Sequence, residues 1–341
     1  MRAPEFPHDI RWLNLPRGDA KSQGDDIALR GSPPPSMKEM RGKNVVLVDF
    51  WTYSCVNCIR TLPYLKQWHE KYATSGLVIV GVHTPEFEFE KDLTNIQSAL
   101  KRFEIPYPIV VDSDYQVWSL YSNNVWPRKF LMDKDGQMVY NHAGEGNYRE
   151  TEEQIQKALL GLDPKLKLPE IEVGPSFAED SADTKVLADK SESKNVCLPA
   201  TGETYLGAMR GHPGRVWRAE GEWRAYPEYM EHMRTTERFE DYLALNFEAG
   251  EVNLVMEART ERPAKVRVEL GGSTRSVPSG VEGLTAGGKL VQELEVREPK
   301  MYNLFKETDH NKHAAFPRRE LKIFVKDAGV RMYAFTFGGC G

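Results

Sequence analysis

The chain has 341 residues, of which 40% are hydrophobic and 28% are charged, and its formal net charge is −5. This length exceeds the size at which one hydrophobic core usually stops growing, so two domains are expected. The charge gives no basis for nucleic-acid binding, and no apolar stretch reaches the roughly 18 residues of a membrane-spanning helix.

The predicted elements begin with strands and helices in alternation. Short runs rich in valine and other apolar residues predict buried strands at residues 44–50 and 77–82. The amphipathic segment 61–72 between them predicts a helix, so these three elements form a βαβ unit with a parallel strand pair. A second helix is predicted at residues 91–103 and an outer strand at residues 107–111.

A hairpin and a helix complete the first predicted domain. Residues 130–133 and 137–142 are predicted strands, joined through an Asp-Gly dipeptide that suits the positive φ angles of a tight turn. A last helix is predicted at residues 150–162. This order of elements predicts an α/β domain, a mixed sheet flanked by helices, over residues 1–165 with an N-terminal extension.

The composition changes after this domain. Residues 166–200 are polar and carry several prolines and glycines, which is typical of a linker. Beyond the linker, short segments of alternating polarity are separated by glycine and proline turns, and they predict an all-β sandwich or jelly roll over residues 201–341. Examples of these predicted strands lie at residues 242–247, 252–257, 265–270, 289–296 and 331–337.

Four cysteines are too few for a disulfide scaffold, so their spacing is more informative than their number. Cys55 and Cys58 are separated by two residues and lie between the first predicted strand and the following helix. At a helix N-terminus, backbone N–H groups and the helix dipole stabilise a thiolate on Cys55, which is the form that attacks a disulfide. Cys58, one turn further on, can resolve the mixed disulfide and release the product.

Two other interpretations of this cysteine pair stay open from the residues alone. A zinc site would need two further ligands, and Cys197 and Cys340 are isolated in the sequence. A pair of structural thiols would need no further partner. The two-residue spacing favours redox chemistry over both interpretations.

Residues 48–58 resemble the active-site strand and turn of the thioredoxin superfamily. Further segments narrow this resemblance to the DipZ family, whose soluble domains are related to the TlpA-like reductases. These segments lie at residues 58–65, 81–92, 112–115, 126–127 and 144–148. The resemblance implies a thioredoxin fold, a Cys55–Cys58 dithiol that cycles through a redox-active disulfide, and no bound cofactor.

The resemblance also implies a catalytic role for Asp49. This residue matches the buried acid of thioredoxins, which exchanges a proton with the resolving thiol. A carboxyl group in an apolar strand should have a raised pKa, which suits acid–base chemistry near neutral pH. An exposed aspartate at a strand end is the alternative, although the neighbouring residues in the sequence are apolar.

Four further residues are candidates for the substrate-binding surface. Pro127 matches the cis-proline that faces the cysteine pair in this superfamily, and Trp126 before it would offer its backbone to an extended substrate. An ordinary turn is the alternative for these two residues. Trp51 matches the tryptophan that shields the dithiol. His83 ends the second predicted strand on the same sheet edge as Cys55, and it is either a site residue or a hydrogen-bonded histidine of the strand end.

The second domain resembles the carbohydrate-binding-like module of the DipZ family at residues 202–207 and 333–338. The resemblance makes carbohydrate a candidate ligand of this module without establishing sugar binding, and the docking of client proteins is at least as strong an alternative. It also implies a membrane electron donor of the CcdA type. The aromatic residues that would either stack on a sugar or belong to the core are Trp217, Trp223, Tyr226 and Tyr229.

The two remaining cysteines are candidates for a structural disulfide. Cys197 begins the second domain and Cys340 nearly ends the chain. Because the first and last strands of a sandwich are often neighbours, the two residues would be close enough to pair. Closing so long a loop would stabilise the domain by roughly 4 kcal/mol in the chain-entropy model, and such a bond would fit an oxidising compartment.

The residues and the resemblance together predict a thiol-disulfide oxidoreductase that acts on protein disulfides as a reductase or isomerase. Val56 and Asn57 replace the Gly-Pro dipeptide of thioredoxins, so the direction of electron flow stays open. A thiol peroxidase is an alternative because Thr52 lies three residues before Cys55, although Val48 stands where peroxiredoxins carry proline. Another alternative is a binding protein whose thioredoxin domain serves only as a scaffold.

The location is inferred from the resemblance, which implies a periplasmic or other extracytoplasmic protein with disulfide- or thiol-bearing client proteins. Residues 1–10 lack the basic end and apolar run of a signal peptide, but a chain whose signal was removed would look the same. A cytoplasmic location therefore stays open as well. Nucleic acid is not an expected partner.

Overall fold

The computed structural model describes residues 1–15, 36–171, 199–211, 216–271, 284–286, 289–307 and 315–339. The chain folds as two compact units, Met1–Glu192 and Ser193–Gly341. Most of the expected linker, residues 172–198, lies outside the described part of the chain, and so do Cys197 and Cys340. The expected disulfide between these cysteines therefore concerns residues that the structure does not describe.

The first unit is built on a mixed β-sheet with helices packed around it. Its strands are β1 (Arg11–Leu13), β2 (Val45–Trp51), β3 (Leu77–His83), β4 (Ile109–Val111), β5 (Arg128–Met132) and β6 (Met138–Ala143). Its α-helices are α1 (Met37–Met40), α2 (Val56–Tyr72), α3 (Leu93–Arg102), α4 (Gln116–Leu120) and α5 (Tyr148–Leu162). Short 3-10 turns lie at Ala73–Ser75 and Glu88–Lys91.

The central strand β2 determines where the cysteine pair lies. The strand order is β1-β4-β3-β2-β5-β6, in which β2, β3 and β4 are parallel and the other pairs are antiparallel. Every residue of β2 is buried, as in a strand covered on both faces. The chain leaves β2 at Trp51 and enters α2 at Val56, with Cys55 between them. A parallel βαβ unit joined to an antiparallel hairpin in this order is a thioredoxin-type fold.

The N-terminal residues contact both edges of this sheet. Arg2 forms an antiparallel bridge with Gln137, which directly precedes the edge strand β6. At the other edge, β1 pairs with β4. Between these contacts, Phe6 and Trp12 pack edge to face in the core, with ring centroids 5.1 Å apart. We call residues 1–13 the N-terminal strap. Because the strap supplies β1, β4 is not the outer strand that the sequence predicted.

The second unit consists of two antiparallel sheets in its described part. One sheet has the order β16-β12-β18-β10-β9, with β7 also paired to β18, and the other has the order β14-β15-β13-β17-β11-β8. The strands are β7 (Thr204–Tyr205), β8 (Trp217–Glu220), β9 (Trp223–Ala225), β10 (Met230–His232), β11 (Asp241–Phe247), β12 (Glu251–Ala258), β13 (Ala264–Gly271), β14 (Leu284–Ala286), β15 (Lys289–Val296), β16 (Lys300–Lys306), β17 (Arg319–Val325) and β18 (Val330–Gly338).

Both sheets contribute to one core. Leu254 and Phe335 come from the first sheet, and Leu243 and Ile323 come from the second, and all four are fully buried in the same cluster.

The expected fold class is confirmed, because a thioredoxin-type α/β domain precedes a domain of antiparallel sheets. The predicted start of the first helix was wrong. The helix α2 begins at Val56, five residues earlier than predicted, so that Cys55 is its N-cap residue.

Candidate functional site

Cys55 and Cys58 lie at the first turn of α2. Cys55 is the N-cap residue, with extended backbone angles (φ −78°, ψ 117°), and its side chain makes no capping hydrogen bond. Cys55 is half-buried, Cys58 is buried, and both are free thiols. A partly exposed cysteine at a helix N-terminus can meet a substrate, whereas the buried thiol can react only with a sulfur held on its neighbour.

The buried thiol of Cys58 needs a base. Burial raises the pKa of Cys58 well above its ordinary value, and the hydrogen bond to Cys55 and the charges of Cys55 and Asp49 raise it further. A backbone hydrogen bond from Thr52 acts in the opposite direction. Cys58 is therefore protonated at neutral pH, and it must lose this proton before it can attack a disulfide.

Asp49 is a buried acid within electrostatic reach of Cys58. It lies in the middle of β2 with 1% of its surface exposed, so it is not a surface aspartate at a strand end. Burial raises the pKa of the Asp49 carboxyl to about 7, the direction expected from the sequence, and the charge of Lys129 partly offsets this rise. Its Oδ1 has no hydrogen-bond partner among the described residues. A carboxyl group in this state can exchange a proton near neutral pH.

Lys129 lies in the same buried cluster as Asp49, and the sequence did not predict it. The register between β2 and β5 places it directly opposite Asp49. It is fully buried, and its Nζ lies 5.7 Å from the centre of the Tyr148 ring. Burial lowers the pKa of Lys129, whereas the charges of Asp49 and Cys58 raise it. A lysine two residues after Pro127 in an apolar strand was the available signal, but only the register shows its partner.

The peptide bond between Trp126 and Pro127 is cis, which confirms the expected cis-proline. Pro127 directly precedes β5, whose first residue, Arg128, pairs with Phe50 of β2. Pro127 therefore lies beside the end of β2 from which the chain turns toward Cys55. The structure thus brings the cis-proline and the cysteine turn to the same end of the sheet.

Trp126 is held in place by its side chain. The residue is half-buried, and its indole N–H donates a hydrogen bond to the Thr84 carbonyl, with 3.1 Å between the heavy atoms. Its ring also packs against Trp118, with ring centroids 4.3 Å apart. The backbone next to the cis-proline is therefore anchored to the segment that follows β3.

Trp51 and His83 are buried beside the cysteine turn. Each is 1% exposed, and their rings meet edge to face with centroids 5.3 Å apart. Nε2 of His83 lies 3.4 Å from the Thr52 hydroxyl, and its ring stacks on Tyr53. Burial lowers the pKa of His83 to about 3, so the imidazole is neutral at physiological pH. These two side chains support the turn from the inside, and the direct substrate contact expected for them does not fit their burial.

The aromatic residues of the second unit divide between core and surface. Trp217 is 4% exposed and belongs to the core, and Trp223 packs against that core. Tyr226 and Tyr229 are half-buried and stack on each other, with ring centroids 4.9 Å apart. The four side chains therefore do not form one exposed stacking platform.

Among the described residues, no three histidine, cysteine, aspartate or glutamate side chains lie close enough together to hold a metal ion. In the same part of the chain, no helix combines the length and the hydrophobicity that crossing a membrane requires.

Both units match known protein families. Residues 26–159 match the model of the Redoxin family, and residues 203–338 match that of a family described as thioredoxin like C-terminal domain. Neither description mentions carbohydrate, so the carbohydrate-binding character expected of the second domain is not confirmed.

Individual proteins also resemble the chain. It is 39% identical over 168 residues to Protein DipZ of Mycobacterium tuberculosis, an alignment that covers 49% of this chain and 22% of DipZ. It is 29% identical over 122 residues to thiol-disulfide oxidoreductase YkuV of Bacillus subtilis, which covers 36% of this chain and 82% of YkuV. The solution structure of a thioredoxin-like protein in the oxidised form is 26% identical, with a TM-score of 0.38, and covers 47% of this chain and 95% of that protein.

The alignment to DipZ confirms the resemblance that the sequence motifs indicated. The chain spans less than a quarter of the length of DipZ, since the alignment covers 22% of that protein.

Proposed function

We propose that this protein is a thiol-disulfide oxidoreductase that exchanges disulfides with client proteins through Cys55 and Cys58. The observation that carries the proposal is a half-buried thiol at the N-terminus of α2, next to a buried thiol within reach of a buried acid. The 29% identity to the oxidoreductase YkuV, over 82% of its length, supports the same chemistry. The reaction needs no cofactor beyond the redox-active cysteine pair.

In the reductive direction, the Cys55 thiolate attacks one sulfur of a substrate disulfide. A bond forms between Cys55 and that sulfur, and the other substrate sulfur leaves as a thiolate. Cys58 then loses its proton and attacks the Cys55 sulfur, which breaks the mixed disulfide. The substrate leaves with both sulfurs reduced, Cys55 and Cys58 are joined as a disulfide, and two electrons have passed to the substrate.

Asp49 acts in the second step as the proton acceptor for Cys58. Its carboxylate takes the thiol proton when Cys58 attacks, and it returns the proton when the disulfide is reduced again. The pKa of about 7 places this exchange near neutral pH. The charge of Lys129 lowers the pKa of Asp49, so a larger fraction of the protein holds the carboxylate that the step requires.

The client binds, in this proposal, as an extended segment along the backbone of Trp126. The cis-proline that follows has no N–H group, so the pairing ends at this point and the client disulfide is held at the end of β2. The anchoring of the indole to the Thr84 carbonyl supports a rigid binding edge.

We further propose that the protein works outside the cytoplasm as a reductase or isomerase, with electrons from a membrane protein of the CcdA type. The resemblance to DipZ supports this setting. The proposed donor would correspond to a part of DipZ outside the 22% of its length that this chain covers. For the second unit we propose that it docks client proteins, with carbohydrate binding as the alternative that a glycan-binding assay distinguishes.

Two cysteine variants test the proposed function. We expect Cys55→Ser to abolish the reduction of insulin disulfides, because no thiolate then starts the exchange. Cys58→Ser should accumulate a mixed disulfide with the client, seen as a mass increase that dithiothreitol reverses. Insulin reduction at the wild-type rate in Cys55→Ser would refute the proposal, and peroxide consumption by the wild type would favour the thiol peroxidase instead.

The equilibrium reduction potential then decides the direction of electron flow. A value near the roughly −270 mV of thioredoxin supports a reductase, and a value near the roughly −120 mV of DsbA supports an oxidant. The measurement titrates the full chain against a dithiothreitol or glutathione series and follows the Cys55–Cys58 disulfide by mass after alkylation.

A further inference from the structure

Glu90 joins two segments beside the cysteine turn. It lies in the 3-10 turn before α3 and is fully buried. Its Oε1 accepts hydrogen bonds from the Ser54 hydroxyl at 2.6 Å and from the Ser54 N–H at 3.3 Å. Its Oε2 accepts hydrogen bonds from the N–H groups of Glu86 at 2.5 Å and Phe87 at 3.0 Å. One oxygen thus holds the residue before Cys55, and the other holds the segment after β3.

The same segment reaches the cis-proline loop at its other end. We call residues 84–90 the strut. The Thr84 carbonyl accepts the hydrogen bond of Trp126, the residue before cis-Pro127, and the Thr84 hydroxyl is fixed by a 3.0 Å hydrogen bond to Asp112. The strut is therefore bonded both to the cysteine turn and to the edge on which the client is proposed to lie.

We propose that Glu90 is a positioning residue that fixes Ser54, and with it Cys55, at a set distance from the Trp126 edge through the strut. The inference rests on the proposed function, because it concerns the same site. Glu90 acts through Ser54, and its task is to hold the attacking sulfur in register with a bound polypeptide.

A carboxylate suits this task because at least four donors converge on it, two or more at each end of the group. Glutamine would offer one oxygen, and in either orientation its NH2 group would be turned against at least one backbone N–H donor. Burial raises the pKa of Glu90 to about 7, as does the charge of Glu86, whereas the Ser54 and Thr52 hydroxyls and the Phe87 N–H lower it. Among the described residues, no basic side chain is paired with Glu90, so hydrogen bonds alone hold its charge.

Comparing a peptide disulfide with a small disulfide distinguishes an effect on substrate positioning from an effect on the exchange reaction itself. We expect Glu90→Gln to lower kcat/KM for the reduction of a disulfide-bonded peptide by about tenfold, mainly through KM, because a misplaced turn no longer matches the binding edge. Reduction of bis(2-hydroxyethyl) disulfide, which is too small to reach both places, should change by less than about twofold. The matched control is Glu88→Gln in the same turn, whose carboxylate is largely exposed and pairs with Lys91 at 2.6 Å, and which should change neither rate.

Equal losses for both disulfides in Glu90→Gln would overturn the inference, and so would unchanged peptide kinetics. Thermal unfolding of each variant accompanies the kinetics. If Glu90→Gln does not fold, Ser54→Ala replaces it, because this change removes only the 2.6 Å hydrogen bond. The loss of kcat/KM for the peptide should then be smaller, but it should again exceed the loss for the small disulfide.

A second measurement does not depend on redox activity. In the full chain labelled with nitrogen-15, the amide signals of Ser54, Glu86 and Phe87 should titrate together with a midpoint near 7. The titration should vanish in Glu90→Gln. If the wild type reduces no disulfide while the three amides still titrate together, the proposed function fails and the link through Glu90 is supported. Amides that titrate separately, or that still titrate in the variant, overturn it.

Discussion

Asp49 and Glu90 are both buried carboxyl groups whose pKa is raised to about 7, yet their surroundings differ. Oδ1 of Asp49 has no hydrogen-bond partner in the described part of the chain, and Lys129 lies opposite it. Glu90 accepts four hydrogen bonds from two segments. The first arrangement leaves a carboxyl group able to exchange protons, and the second uses one to hold backbone in place.

The raised pKa of Asp49 makes a prediction about stability. The folded pKa of about 7 lies above the ordinary value of 3.8, so the folded state binds the proton more tightly than the unfolded state. The stability gained in this way is fully present below pH 3.8 and is lost as the pH rises to about 7. Asp49→Asn carries no charge to bury. In urea unfolding it should be more stable than the wild type at pH 8, and the difference should shrink toward pH 4.

The same variant should slow disulfide exchange at pH 7, because Cys58 loses its proton acceptor. A variant that is less stable than the wild type at pH 8 would contradict the assigned burial effect. A variant that is more stable but exchanges disulfides at the wild-type rate would contradict only the catalytic role.

At the residue scale, local motifs were enough for part of the site. Cys55, Cys58 and Pro127 could be named as candidates because their proposed roles depend on spacing and on the residues beside them. Glu90 could not, since its partner Ser54 lies 36 residues away in the chain and nothing local marks the pair. Lys129 was missed for the same reason.

At the scale of elements, the buried carboxylate of Glu152 in α5 binds side chains of α2. Glu152 is 3% exposed and accepts hydrogen bonds from the Trp68 indole at 3.1 Å and from the Tyr72 hydroxyl at 2.6 Å. Lys71 lies 3.2 Å from the same carboxylate. Since α2 carries the cysteine pair at its other end, this contact orients the helix without touching the chemistry.

Glu152→Ala should therefore destabilise the first unit by about 2 to 4 kcal/mol, because it leaves buried donors of Trp68 and Tyr72 unpaired. Chemical denaturation measures this loss, and the reduction potential of the cysteines should stay unchanged. Glu153→Ala is the control: Glu153 is half-exposed and forms an i,i+4 pair with Arg149, so a change within about 0.5 kcal/mol is expected. Equal effects of the two substitutions would refute the assignment.

The predicted elements were most accurate where apolar runs were long. The strands β2 and β3 were found nearly to the residue because seven consecutive positions in each are apolar or buried. The elements α1, α4 and β1 were missed, since elements of three to five residues are too short to show a period. Their formation depends on contacts with distant parts of the chain.

At the scale of the whole molecule, the second unit has its own core and its own charged cluster. Asp241 is 1% exposed, and it binds His232 Nε2 at 3.0 Å and Arg234 through two hydrogen bonds, of which that from Nε is 2.8 Å long. The hydrogen bond from Arg234 holds the pKa of Asp241 well below its usual range. The cluster therefore stabilises this unit as long as Asp241 is ionised.

The depressed pKa of Asp241 means that its stabilisation is present above the ordinary pKa of 3.8 and is lost as the pH falls below it. Asp241→Asn should lower the unfolding midpoint of the second unit by several degrees at pH 7 and should flatten its dependence on pH in the acid range. Calorimetry resolves this transition. Insulin reduction by Asp241→Asn should be unaffected. The control is Glu240→Gln, at an exposed neighbouring position, which should leave the unfolding midpoint unchanged.

The N-terminal strap has a consequence for how partners can add to the sheet. A strand at the margin of a sheet presents free N–H and C=O groups, which invite pairing with another chain. Since β1 pairs with β4, the hydrogen-bonding groups of β4 are satisfied, and the edge of the sheet is then a strand of only three residues, which offers little for a foreign strand to pair with. A chain shortened by residues 1–13 would uncover β4 and remove Phe6 and Trp12 from the core, and it should self-associate. The strap thereby limits strand pairing at this edge, whereas the proposed client edge at Trp126 and cis-Pro127 lies in the other half of the sheet.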